Sequence, residues 1–136
     1  MYTNLLVAVD PTHTEKHEKA LGAARSLADP TADITALTVI EPIPGNFPGS
    51  AIPEDLQRQS GEVALGQLRQ FVGPRSEINT VLLHGHPANE IIRYAKEHDV
   101  DCIIVASHKP GLADYFLGST AARVVRHAHC TVHVMR

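Results

Sequence analysis

Short apolar runs alternate with segments of helical spacing along the whole chain, and this alternation restricts the fold more than any single motif does. Leu5–Val9 is an apolar run closed by Asp10-Pro11 and reads as a buried strand. From Thr14 to Leu27, Ala20, Ala23, Ala24 and Leu27 recur at helical intervals, and Asp29-Pro30 is expected to stop that helix. Ile34–Ile40 is strand-like through Thr35, Thr38, Val39 and Ile40. Residues 41–53, EPIPGNFPGSAIP, hold four prolines and two glycines, which excludes regular structure. Glu54–Val72 returns to helical spacing with Leu56, Val63, Leu68 and Val72 inward, and Gly73-Pro74 ends it. Ile78–Leu83 reads as a strand closed by His84-Gly85-His86-Pro87. Ala88–His98 reads as a helix with Ile91, Ile92 and Ala95 inward, and Cys102–Ala106 as the next strand. Ser119 is expected to cap a helix reaching about Ala128, with Ala121, Val124, Val125 and Ala128 on one face. Thr131–Met135 is the last strand.

The order βαβαβαβαβ predicts a parallel sheet covered on both faces. Right-handed crossovers leave few arrangements. The expected fold is α/β: a flavodoxin-like, doubly wound, five-stranded parallel sheet in the order 3-2-1-4-5, forming a single domain over residues 1–136. Its switch point lies between the first and fourth strands, and ligands of such sheets sit outside the carboxyl ends of the strands there. Those ends are Val9-Asp10 and the segment from Ala106 onward.

Composition narrows the function. With 43% apolar residues the chain can bury an ordinary core. A net charge of −3 argues against a nucleic-acid partner, which selects a basic face. No apolar run approaches the roughly 20 residues of a membrane helix, so no membrane partner is expected. The start MYTNLLVAVD lacks a charged leader segment, and the expected location is cytoplasmic. Cys102 and Cys130, at the starts of strands expected to be neighbours, have room to approach each other and are expected to be reduced core thiols.

Several residues at the expected ligand edge could carry chemistry. Gly118-Ser119-Thr120 opens a helix, and helix starts present free N–H groups and partial positive charge. Lys109 could add a charge. The same residues also fit an ordinary capped turn, since they match neither a Walker pattern nor a dinucleotide fingerprint. Asp10 could accept from a ribose hydroxyl or simply serve the turn before Pro11. His13, His17, His84, His86 and His108 fall near this edge. His13 and His17 stand at a spacing that can hold zinc on a helix, but no ligand set is completed, and solvated histidines are the alternative. Ser119 lies in no nucleophile elbow, so no catalytic residue is expected. The loop 41–53 is either a lid or a passive excursion.

The stretches LLVAVD, LTVIEP, Gly85-His86-Pro87 and VASHKP…LGSTAARVVRHAHCTVHVMR together resemble the universal stress protein family, most closely its short bacterial F/G-type branch. The resemblance implies the α/β fold above, shared with adenine nucleotide alpha hydrolase-like proteins, a homodimer through Thr131–Met135, and an ATP or AMP pocket accompanied by Mg2+ or Mn2+. Mapped by resemblance, Ala8, Val9 and Asp10 face ribose and adenine, and the Val39 backbone reads the adenine edge. Ala106, Ser107, His108 and Lys109 line the phosphate approach, and Gly118, Ser119 and Thr120 hold phosphate. Ala106 and Lys109 stand where the family's first two glycines fall, and the interval from Lys109 to Gly118 is one residue short. Gly118 and Ser119 keep the pattern. The expected function is therefore an adenine-nucleotide-binding, stress-responsive regulatory dimer with an unidentified protein partner and at most slow ATP hydrolysis. The alternatives are a nucleotide-free interaction dimer on the same fold and, third, a true enzyme, either a nucleotide hydrolase or a metal-dependent one.

Overall fold

The computed structural model describes residues 1–10, 14–42, 54–73, 77–107 and 117–136. Nine elements follow one another: β1 (Tyr2–Ala8), α1 (Thr14–Leu27), β2 (Ala28–Ile40), α2 (Glu54–Val72), β3 (Ile78–His84), α3 (Pro87–Glu97), β4 (Cys102–Ala106), α4 (Ser119–His127) and β5 (Thr131–Met135). The strands form one sheet in the order β3-β2-β1-β4-β5, and every adjacent pair is parallel. This is the expected doubly wound arrangement. It puts β1 in the centre, with β2 and β4 on either side.

Successive residues of a strand point to opposite faces, and here both faces are buried. Leu5, Val7 and Val9 join Cys102 and Ile104 in a cluster with Ala20, Leu21 and Ala24 of α1 and Leu68 and Val72 of α2. Leu6, Leu37, Ile103 and Val105 join Ala88, Ile91 and Ala95 of α3 and Ala121 and Val124 of α4. That double burial is why the central strands read as continuous apolar runs rather than alternating ones. Leu5 and Leu6 are adjacent yet fully buried in different clusters. Truncating either to Ala would cost about 2–5 kcal/mol, the lost transfer energy plus a residual cavity.

Three expectations about local structure are corrected. Asp29-Pro30 does not separate α1 from a later strand, because β2 already begins at Ala28. The β1–β2 register is irregular between Tyr2 and Asn4, so Pro30 lies where ladder pairing is already broken and its missing N–H is tolerated. Thr31 then donates its N–H and hydroxyl to Asp29 Oδ1, closing a local turn within the strand's outer end. Val63 and Val125, assigned inward by spacing, are 61% and 47% exposed. Leu68, Val72, Ala121 and Val124 supply the inward stripes of α2 and α4.

A polar clamp closes the amino-terminal edge of the sheet. Asp101, just before β4, accepts the N–H and hydroxyl of Thr3 at 2.8 and 3.0 Å and the N–H of Asn4 at 3.0 Å. Asn4 returns its side-chain N–H to His98 O at 2.7 Å, and Asp101 N–H donates to Asn4 O. Burial raises the Asp101 pKa, but the hydrogen bonds from Thr3 and Asn4 outweigh it, and the carboxyl lies below its ordinary value of 3.8. The clamp ties β1 to β4 at the end opposite the switch point.

Candidate functional site

The carboxyl ends of β1 and β4 lie side by side, since Val7 pairs with Ile104 in the parallel ladder. Two residues further on, Val9 stands just past β1 and Ala106 is the last residue of β4. Parallel strands place no hydrogen-bond partner in the gap beyond their ends, which makes such edges natural clefts.

The β1 edge is held from both neighbouring elements. Val9 N–H donates to Leu37 O at 2.9 Å, continuing the β1–β2 ladder. The buried Thr38 hydroxyl donates to Val9 O at 3.0 Å. Asp10 N–H donates to His17 Nε2 at 2.9 Å. The Asp10 side chain itself is exposed at the mouth of the cleft. Val39 lies on β2, one residue beyond Thr38, and packs on the cluster beneath α3 and α4. Ala8 packs against that same cluster.

The β4 edge is joined to both β5 and α4 by one residue. Ser107 is buried, donates its N–H to Met135 O at 2.8 Å and accepts Gly118 N–H through its carbonyl at 2.7 Å. That pair of bonds draws the start of α4 to the β4 end. Gly118 is itself buried, half-buried Thr120 lies just inside the helix, and Ser119 is exposed. The structure thus brings Ala8, Val9, Asp10, Ala106, Ser107, Gly118, Ser119 and Thr120 to one edge, with Val39 on the flanking strand. His108 and Lys109, and with them His13 and the loop segment 43–53, lie outside the described residues.

The start of α4 differs from expectation in one respect. Gly118, not Ser119, is the N-cap, with φ −57° and ψ 152°, and among the described residues no side chain caps the helix. Gly118 O accepts the first intrahelical bond, from Ala122 N–H at 2.8 Å, while Gly118 N–H is committed to Ser107. The donors this helix can offer an anion are therefore the N–H groups of its first residues, Ser119 and Thr120, which have no acceptor one turn earlier in the helix. Arg126 and His127 in the last turn complement the opposite end of the dipole.

Among the described residues, His17, His84 and His86 do not converge. His84 ends β3, and its exposed side chain has its ring near Gly61 of α2; a Cβ at Gly61 would stand 3.6 Å from His84 Cε1 and Nε2. His86 is the exposed N-cap of α3, ahead of Pro87 in its first turn. Both belong to the far edge of the sheet, with β2 between them and β1. Among the described residues no group of three or more His, Cys, Asp or Glu could hold a metal ion. His17 is not solvated: it is 5% exposed and meets Phe71 of α2 edge-on, with centroids 6.2 Å apart. A sequence signal for its burial existed. His17, Ala20, Leu21 and Ala24 share one helical stripe, and the last three are core residues. Thr38 was legible only as a strand residue and Ser107 only through the family resemblance; their backbone partners lie on other elements.

Cys102 and Cys130 are free thiols. Cys102 lies in the cluster under α1 and α2, and Cys130, just before β5, packs against the cluster under α3 and α4. Burial, followed by the nearby charges of Cys130 and Asp101, pushes the Cys102 pKa up to about 11. Burial raises that of Cys130 as well.

Fold and edge together define an α/β protein of the doubly wound class, with the ends of β1 and β4 side by side at its switch point. The universal stress protein family model matches residues 1–136, and the chain belongs to that family. It is 28% identical to universal stress protein G of Escherichia coli O157:H7, with 100% of both chains covered. It is 31% identical over 86 residues to a universal stress protein of Methanothermobacter thermautotrophicus, a match covering 61% of this chain and 59% of that one. Among solved structures, UspA of Lactobacillus plantarum is 30% identical with a TM-score of 0.70, covering 99% of this chain and 98% of that one. Two more distant structures share the fold and hold adenine nucleotides. One is a universal stress protein in complex with cAMP (18% identical, TM-score 0.66, 99% and 97% covered), the other that of Archaeoglobus fulgidus in complex with dAMP (21%, 0.57, 99% and 98%). No helix among the described residues is long and apolar enough to cross a membrane.

Proposed function

We propose that this chain binds an adenine nucleotide, ATP or AMP, in the cleft between the ends of β1 and β4, and that it acts in the cytoplasm as a regulatory dimer rather than a fast enzyme. The observation that carries the reading is the Ser107 carbonyl holding Gly118 N–H at 2.7 Å, which joins the opening turn of α4 to the β4 end beside Val9 and Asp10. Phosphate would be met by the N–H groups and hydroxyls of Ser119 and Thr120, and ribose by the Asp10 carboxylate. The Val39 backbone would read the adenine edge. The cAMP and dAMP complexes of relatives with this fold support the ligand class. Among the described residues of the cleft no histidine stands ready as a general base, so hydrolysis would be slow. Any Mg2+ or Mn2+ would come with the nucleotide phosphates. β5 ends the sheet, and an edge strand with Val132 and Val134 invites pairing with a second copy.

Mass spectrometry of small molecules released from protein purified without added nucleotide tests the ligand. A fluorescent adenine nucleotide titrated against wild type, Gly118→Val and Ser119→Ala tests the site. Gly118 has a φ any residue adopts, so valine there tests space rather than backbone strain. Ser119→Ala is expected to weaken binding by about 1 kcal/mol or more. Equal affinity in all three proteins removes the site assignment. No released ligand and no titration signal would favour the nucleotide-free dimer, which sedimentation would detect independently.

A further inference from the structure

The peptide unit joining Val9 to Asp10 is gripped at both ends by side chains from different elements. Its carbonyl accepts the Thr38 hydroxyl of β2 at 3.0 Å, and its N–H donates to His17 Nε2 of α1 at 2.9 Å. Sheet pairing alone would not orient this unit, because Val9 is the last β1-side residue to bond across to β2 and Asp10 lies beyond it. Two bonds at opposite ends of one rigid plane fix its rotation, and with it the position of the Asp10 Cα from which the side chain departs. His17 is braced in turn: it is 5% exposed and meets Phe71 at an interplanar angle of 86°.

From this geometry we infer that His17 is a positioning residue of the nucleotide cleft, aiming Asp10 at the ligand by accepting its N–H. The inference deepens the nucleotide-binding reading and rests on it for its functional consequence. The accepting role requires the imidazole neutral at Nε2, with its proton on Nδ1. A side chain that merely filled the space would need no particular tautomer. Glutamine can put an acceptor oxygen near the position of Nε2; phenylalanine and leucine keep apolar bulk beside Phe71 and offer no acceptor.

The test uses isotope-labelled full-length protein as wild type, His17→Gln, His17→Phe and His17→Leu, with thermal melts to establish folding. In wild type, nitrogen–proton correlation spectra should show His17 protonated at Nδ1 and bare at Nε2. Exchange of the Asp10 amide should accelerate about tenfold in His17→Phe and His17→Leu, the size of one net hydrogen bond, and be restored in His17→Gln. Affinity for the fluorescent adenine nucleotide should fall by a similar factor and recover in the same order. An Nε2-protonated ring in wild type overturns the inference even if the apolar variants do not fold. So does an unchanged Asp10 amide in those variants, or a glutamine variant no better than leucine. Wild type that binds no nucleotide removes the functional reading alone, since the tautomer and the amide still decide the role of His17.

Discussion

Thr38→Val isolates the other half of the grip on the Val9–Asp10 peptide. Valine matches threonine in shape, so no cavity opens; only the hydroxyl that donates to Val9 O at 3.0 Å is lost. Thr38 is 5% exposed and Val9 6% exposed, so water cannot readily take the hydroxyl's place. Losing a buried donor leaves its acceptor short of a partner at about 1–3 kcal/mol, from which the gain of not burying a hydroxyl is subtracted. A net loss of about 1–2 kcal/mol follows, a fall in Tm of roughly 3–8 °C for a domain of this size. Urea melts of wild type, Thr38→Val and Thr38→Ser measure it. Serine keeps the hydroxyl and loses one methyl, a cost of up to about 0.8 kcal/mol with the bond to Val9 intact. The stability ranking is thus expected to be wild type, serine, valine. Nucleotide affinity should separate the variants further, with serine close to wild type and valine weaker, because only valine frees the peptide. A valine variant as stable as wild type, or a serine variant weaker in binding than valine, would refute the reasoning.

Asp101→Asn keeps one acceptor oxygen for Thr3 and Asn4 but removes the charge. Because the folded carboxyl lies below 3.8, wild-type Asp101 adds stability above its unfolded pKa and loses it as pH falls through the folded value. Melts below about pH 4 should therefore show a smaller acid-induced loss in the variant than in wild type, and parallel curves would discount the clamp. Gly85 has φ +143°, and an added Cβ would stand 3.0 Å from Glu90 Cγ. Gly85→Ala should cost about 1–3 kcal/mol by denaturant melt, and a neutral result would mean that the turn before α3 relaxes freely. Thiol titration should find two reactive groups per chain in denaturant without reductant and a very slow Cys102 in the native protein, consistent with a pKa near 11. A denaturant count of zero would overturn the two free thiols.

The chain's alternation of apolar runs and helical stripes determined the element order, the parallel sheet and the switch-point edge, because burial on both faces of a strand or one stripe of a helix is a local property of spacing. The motif residues from Gly118 and the stretch LLVAVD were likewise readable, since they follow directly on strand and helix ends. What spacing could not assign was the owner of each polar contact. His17 sits on the apolar stripe of α1, yet whether it would be core, ligand or solvated depended on Asp10 coming within 2.9 Å. Val63 and Val125 fit an inward period, yet both are exposed. Pro30 looked like a break until β1 and β2 were seen to slip register beside it. Cys102 and Cys130 stand at the starts of adjacent strands, yet they pack in different clusters. Each of these was decided by contacts between residues distant in sequence, where the energy lies in a pairing that neither partner encodes alone.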